Sequence, residues 1–269
     1  MNMQNTSPAI TPENEALTRQ LELLREEFTG LYARHKDMVE NESVILTSVY
    51  LQKLGYLQLE LLQKQTEATR LRMKMQMIQA AINRDEKPEI GAIEAILNDR
   101  LEKYYAEIAA SAAALDESSK VLQHLISEED TLKLKEVFRV LCKRLHPDLN
   151  PNQPAEDRDL FVKVKAAYDL NALHELQTIL LYLDDLAGEK LLLVSLSDKQ
   201  ERIQHLKGNI KALKEKISSL EQSFPFSQKE LITDEAWISG RQKEIRSQIM
   251  VFEENIGKYS NIISLLCNE

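Results

Sequence analysis

From Glu13 to Lys87 the chain contains no proline, and apolar residues recur at alternating steps of four and three: Leu17, Leu21, Leu24, Phe28, Leu31, Met38, Ile45, Val49, Tyr56, Leu59, Met73 and Met77. That spacing puts them on one seam of a single long helix, about 100 Å if unbroken at 1.5 Å per residue. His35, Glu42, Gln52, Gln63, Thr66 and Arg70 occupy expected apolar positions on it, while Val44, Leu51, Leu54, Leu61 and Leu62 add a second stripe beside it. A helix apolar on two sides is expected to pack in a bundle for part of its length.

Asn83-Arg84-Asp85-Glu86-Lys87-Pro88 breaks the pattern, and Ile93, Leu97, Leu101, Tyr104, Ile108, Leu115, Leu122 and Leu125 then resume it. A second helix running back antiparallel is expected, so that residues 13–126 form a coiled-coil hairpin. A similar figure closes the chain over 187–269. Leu192, Leu196, Ile203, Leu206, Ile210, Leu213, Ile217 and Leu220 share one face, Ser223-Phe224-Pro225-Phe226-Ser227 interrupts, and Ile245, Ile249, Phe252, Ile256, Tyr259, Ile263 and Leu266 hold the step to the end. Between the hairpins, over 127–186, the heptad lapses. The expected class is all-α: long antiparallel helical hairpins flanking a short helix-loop-helix module.

Composition sharpens this. Gly and Pro number only 7 each in 269 residues, which suits long helices with few tight turns. The net charge of -9 denies the chain a broad favourable field for nucleic acid or anionic lipid, so any basic recognition surface must be local. Cys142 and Cys267 lie far apart without metal-ligand spacing, so neither a disulfide framework nor a zinc site is suggested, and a reducing, cytoplasmic setting fits. Residues 1–12 read as a disordered tail rather than a secretory signal, and the greasiest run, Leu191-Leu192-Leu193-Val194, is too short to span a membrane.

The middle module carries the chemistry. Ser127-Glu128-Glu129-Asp130 has the form of a helix cap with acidic residues in the first turn, and Leu134, Phe138, Leu141 and Leu145 follow on one face. Another side carries Lys135, Arg139 and Lys143 at steps of four, with Arg144 beside them. Pro147 disfavours the α conformation at His146, so the helix is expected to stop there. A proline-braced loop, Leu149-Asn150-Pro151-Asn152-Gln153-Pro154, follows, and Pro154, Glu156 and Asp157 open a helix whose apolar face is Phe161, Val164, Ala167 and Tyr168. Two short antiparallel helices would present the loop as a fingertip with Asp148 held outward, an acceptor suited to a partner's arginine.

These residues resemble the J domain, the module by which J proteins (the DnaJ class) engage the seventy-kilodalton heat-shock chaperone, DnaK in bacteria. The resemblance covers about residues 127–175 and rests on Leu134 to Asp148 with Phe161 and Ala167-Tyr168. It implies a co-chaperone whose basic helix and His146-Pro147-Asp148 loop dock on the ATP-bound chaperone and stimulate hydrolysis. Lys135, Arg139, Lys143 and Arg144 would then supply docking charge, and Asp148 would meet a partner arginine. The family's Tyr-x-x-Leu-Gly first helix is missing; Leu122-Gln123-His124-Leu125 stands before the module, and the long second helix is expected to substitute for it. Val140 and Leu145 stand where the family often has a basic residue and a tyrosine.

Plainer readings stand beside this one. The tripeptide alone is a helix stop and a turn, and the cationic stripe alone is a solvated face. His35, His124, His174 and His205 are scattered, Cys142 reads as a small packed residue, and Met73, Met75 and Met77 beside Arg70, Arg72 and Lys74 read as coiled-coil core with charged flanks rather than a client groove or membrane helix. No phosphate-binding loop, nucleophile elbow or metalloprotease helix occurs, so no enzyme, cofactor or metal is expected. Two functions follow: a cytoplasmic co-chaperone whose helical hairpins grip a target or self-associate, or a structural scaffold with a vestigial J-like corner.

Overall fold

A computed structural model describes residues 12–123, 125–185 and 196–268. Most of the expected tail, the Leu191 to Val194 run and His124 lie outside these residues. The elements are α1 (Pro12–Asp37), α2 (Ser43–Tyr50), α3 (Tyr56–Ile82), α4 (Ile90–Gln123), α5 (Glu128–Leu145), α6 (Ala155–Asp169), α7 (Leu173–Asp185), α8 (Leu196–Glu221), α9 (Lys229–Thr233) and α10 (Glu235–Asn268). The chain is all-α: no strand occurs among the described residues, and none of their helices is long and apolar enough to cross a membrane.

Helix ends follow local chemistry. The Ser127 hydroxyl accepts from the Asp130 backbone N–H at 3.0 Å and caps α5. His146 is extended (ψ 129°), the conformation that a following proline favours, and α5 stops at Leu145. Asn171, at φ 54°, takes the left-handed conformation just past α6, and the Ala172 N–H returns to the Ala167 carbonyl at 2.8 Å. The Asp234 carboxylate accepts from Ala236 and Trp237 N–H at 2.8 and 3.2 Å and starts α10.

Two π-type turns were not expected, at Met38–Glu42 and Leu51–Gly55, with the Ser43 N–H reaching back to the Met38 carbonyl across the first. Each inserts a residue into the α ladder and rotates the face downstream. Tyr56, expected on the seam, is consequently 45% exposed, while Leu54 and Leu57 are buried.

The chain divides into two compact units, one within Met1–Val44 and Leu125–Ser227, the other within Ile45–His124 and Gln228–Glu269. In the first, α8 lies along α1 in the same direction, since Lys199 donates to Asn14 Oδ1 and Thr18 Oγ1 at one end and Lys214 meets Glu27 at the other. Leu21, Phe28, Ile203, Leu206, Ile210 and Leu213 are buried along that seam. Helices α5, α6 and α7 close over Leu134, Phe138, Leu141, Leu145, Phe161, Val164, Tyr168 and Leu176.

In the second unit α3 is flanked by two helices. Ile78, Ile93 and Leu97 cluster where α4 runs back along it, and Arg70 and Lys74 both pair with Glu94. On its other stripe Leu57 and Leu61, with Leu54 of the π-type turn before it, pack with Ile238, Ile245 and Ile249 of α10, which runs parallel, with Lys53 of the same turn paired to Glu235 and Lys64 to Glu253. The division therefore cuts across both expected hairpins, 13–126 and 187–269: α8 sits with α1, and α10 with α3. A heptad seam states which face of a helix is apolar, not which helix will cover it.

Candidate partner-docking site

The candidate residues lie on α5 and the loop that follows it. Burial pushes the His146 imidazole down to about 4, so it is neutral near pH 7. Its unprotonated Nδ1 accepts the Asp148 backbone N–H at 3.1 Å, which fixes the bend across Pro147. The ring is caged by Tyr32, Phe28 and Phe161 at centroid distances of 4.4, 4.9 and 5.0 Å, each near edge-on. Asn150 staples the loop to the end of α5, its amide donating to the Arg144 carbonyl at 2.7 Å. The loop is therefore rigid, held by a neutral histidine beneath and an asparagine beside it.

The cations face an unexpected neighbour. Helix α1 runs antiparallel along α5, and its residues meet the stripe one by one. Lys135 Nζ lies 2.9 Å from Asp37, and the Lys143 ammonium pairs with Glu26, holding the Glu26 carboxyl below its ordinary range mainly by that hydrogen bond. The Arg139 guanidinium passes over Gly30, so closely that a Cβ there would stand 3.0 Å from its Nη2. These cations are not smothered: the Lys135 and Lys143 side chains remain 36% and 50% exposed, Arg139 and Arg144 are exposed, and an open cleft between α1 and α5 is lined by Arg34, Lys135 and Arg139.

Asp37 ties this face to the module core. It is 5% exposed and takes the Tyr168 hydroxyl at 3.2 Å besides Lys135. Burial first, then the Asp37 charge, pushes the Tyr168 phenol above its usual value.

The loop is not the free fingertip the sequence suggested. Pro147 is exposed, but Leu149 is only 3% exposed, plugged into the seam between α1 and α8 with Phe28 and Leu206. Arg25 of α1 donates to the Leu149 carbonyl at 2.8 Å and to Asn150 Oδ1 at 3.2 Å. Asp148 is half-buried, and its Oδ2 accepts the amide of Asn209 on α8 at 2.8 Å. The element that seals the module is likewise α1, through Tyr32 and Ala33, where α4 was expected to substitute for a first helix.

Sequence reading missed Arg25, Asp37, Leu149 and Asn209. Only Leu149 left a signal, as the one large apolar side chain in an otherwise polar, proline-rich loop. The others act across long sequence separations that periodicity does not encode. Cys142 is buried, and burial raises its thiol well above the ordinary range, so it packs as an inert small residue. Among the described residues no group of three or more His, Cys, Asp or Glu side chains could hold a metal. No family model, curated protein or solved structure matches the chain.

Proposed function

We propose that the protein is a cytoplasmic co-chaperone of the J type, not itself an enzyme, which binds a DnaK-type chaperone through His146-Pro147-Asp148 and the cations of α5 and stimulates its ATP hydrolysis. One observation carries the reading. A cationic flank, Lys135, Arg139, Lys143 and Arg144, leads along α5 to a braced loop in which a buried neutral histidine fixes the backbone of an acidic residue. Such a loop fixes where the carboxylate leaves the backbone and so reduces the conformational freedom lost on docking, which favours bidentate capture by an arginine. The long helices would grip a target or a second copy of the chain.

Steady-state ATPase of a purified DnaK-type chaperone tests this. The wild-type chain is expected to raise turnover, and Asp148→Asn, which keeps the shape and removes the charge, to abolish the rise. No stimulation by the wild type sinks the proposal.

A second reading, a structural scaffold with a vestigial J-like corner, draws support from the intramolecular partners of the same residues, since Asn209, Glu26 and Asp37 already engage Asp148, Lys143 and Lys135. On that reading Asp148→Asn leaves both chaperone turnover and target binding unchanged.

A further inference from the structure

The co-chaperone reading makes Asp148 the group a partner must reach, yet this chain already holds it. We propose that α1 and α8 form an autoinhibitory clamp in which Asn209 occupies the Asp148 carboxylate in place of the partner's arginine. The inference rests on the co-chaperone reading and adds a restraint to it.

A carboxylate offers an arginine two oxygens side by side, and bidentate pairing uses both. Here Oδ2 already accepts the Asn209 amide at 2.8 Å, so an incoming guanidinium must either displace that amide or share the oxygen with it, and sharing weakens the pairing. The backbone that carries Asp148 is fixed, so its carboxylate can move only by side-chain rotation. The Asp148 N–H is tied to His146 Nδ1, and the next residue is locked twice, by burial of the Leu149 side chain and by Arg25 on the Leu149 carbonyl.

The contact is also of a kind that yields. A neutral amide on a carboxylate is a weaker partner than a charged guanidinium. Asn209 is half-buried, and its amide nitrogen lies 3.4 Å from His205 Nδ1 one turn earlier on α8, a second group toward which it can rotate. By contrast, lifting α8 itself would expose Ile203, Leu206, Ile210 and Leu213. Opening by side-chain rotation is therefore the lower path, and the clamp acts as a threshold: affinity is reduced by the fraction of molecules in which Asp148 is free.

The test uses the full chain with a purified DnaK-type chaperone in its ATP-bound state. Asn209→Ala is expected to lower the concentration giving half-maximal ATPase stimulation by roughly tenfold, the low end of the worth of one hydrogen bond to a charged group. Asn209→Asp, which sets a like charge against Asp148, is expected to move it the same way, and Asp148→Asn to abolish stimulation in every background. Circular dichroism checks that each variant keeps its helix content. If wild type and both variants stimulate at the same concentration and Asp148→Asn still abolishes the effect, the clamp is overturned and the co-chaperone reading stands. If the wild type does not stimulate at any concentration, the co-chaperone reading fails and the clamp, which only shifts a threshold, falls with it.

Discussion

The two units are built from similar helices by different means. In the unit holding α3, α4 and α10, the hydrophobic clusters are aliphatic and repeat along the helices, as in Leu54, Leu57, Ile238, Ile245 and Ile249, and the buried polar residues among those described are the uncharged Ser48, Thr66 and Ser118. Charge stays on the flanks, in pairs such as Lys64 with Glu253 that contribute little. In the unit holding α5 to α7, aromatic rings join the aliphatic core and ionisable groups are drawn against them: Phe138 stacks on Tyr168, Tyr168 bonds to buried Asp37, and His146 sits among three rings. A ladder of leucine and isoleucine tolerates exchange along its length. A core of rings and buried hydrogen bonds specifies one arrangement and loses more when one member is removed.

The largest expected effect is the cost of breaking each core at a fully buried site. Phe138 is 0% exposed and its ring lies 4.0 Å from that of Tyr168, so Phe138→Ala removes both burial and a stacked pair and is expected to cost about 4 kcal/mol. Leu97 is also 0% exposed, but Leu97→Ala empties a smaller volume beside Ile78 and Ile93 and is expected to cost about 3 kcal/mol. Native-state hydrogen exchange, read on α5 for the first variant and α4 for the second, gives the two figures. A larger loss for Leu97→Ala would reverse the comparison.

A buried histidine gives the aromatic unit a pH dependence. The folded His146 titrates at about 4 against 6.5 for an ordinary histidine, so between those values the unfolded chain binds the extra proton. Stability from this group is therefore fully present above pH 6.5 and falls as the pH drops toward 4. The lost contribution is on the order of 3 kcal/mol. Urea unfolding at pH 7 and pH 4.5 is expected to show this loss in the wild type and a smaller one in His146→Gln, which cannot gain the proton. Equal losses would mean that the histidine is not held neutral by its cage.

The same contrast explains how much the sequence disclosed. The tip between α3 and α4, the Ser127 cap, the stop before Pro147 and the apolar face Phe161, Val164, Ala167 and Tyr168 all follow from local rules, and each falls where those rules put it. Periodicity could not name partners: Ile210 and Ile249 obey the same step, yet one covers α1 and the other α3. Nor could it show the π-type turns, which shift the apolar face by inserting a residue without any proline or glycine pair to announce them. At the candidate site the pattern marked Lys135, Arg139, Lys143, Arg144, His146, Pro147 and Asp148 as a group, and α5 with its loop brings them together. Their intramolecular partners Asp37, Glu26 and Asn209 are ordinary polar residues on distant helices, and only the packing reveals them.

The finest test uses one residue type in both units. Gly30 and Gly55 are helical glycines pressed by neighbours, and alanine at either gains up to about 1 kcal/mol of intrinsic helix preference. At Gly30 the added Cβ would stand 3.0 Å from the Arg139 guanidinium, the free-swinging end of an exposed side chain. At Gly55 it would stand 2.8 Å from Leu115 Cδ2 and 3.0 Å from Leu51 Cδ2, two branched hydrocarbons packed against each other's helix. The arginine can move away into water, whereas the leucines must displace further side chains, at a cost of about 1–3 kcal/mol. Gly30→Ala is therefore expected to raise stability by about 0.5 kcal/mol and Gly55→Ala to lower it by about 1 kcal/mol. Hydrogen exchange on α1 and α3 reads the two signs, and a stabilising Gly55→Ala would show that the aliphatic ladder has slack where the structure shows contact.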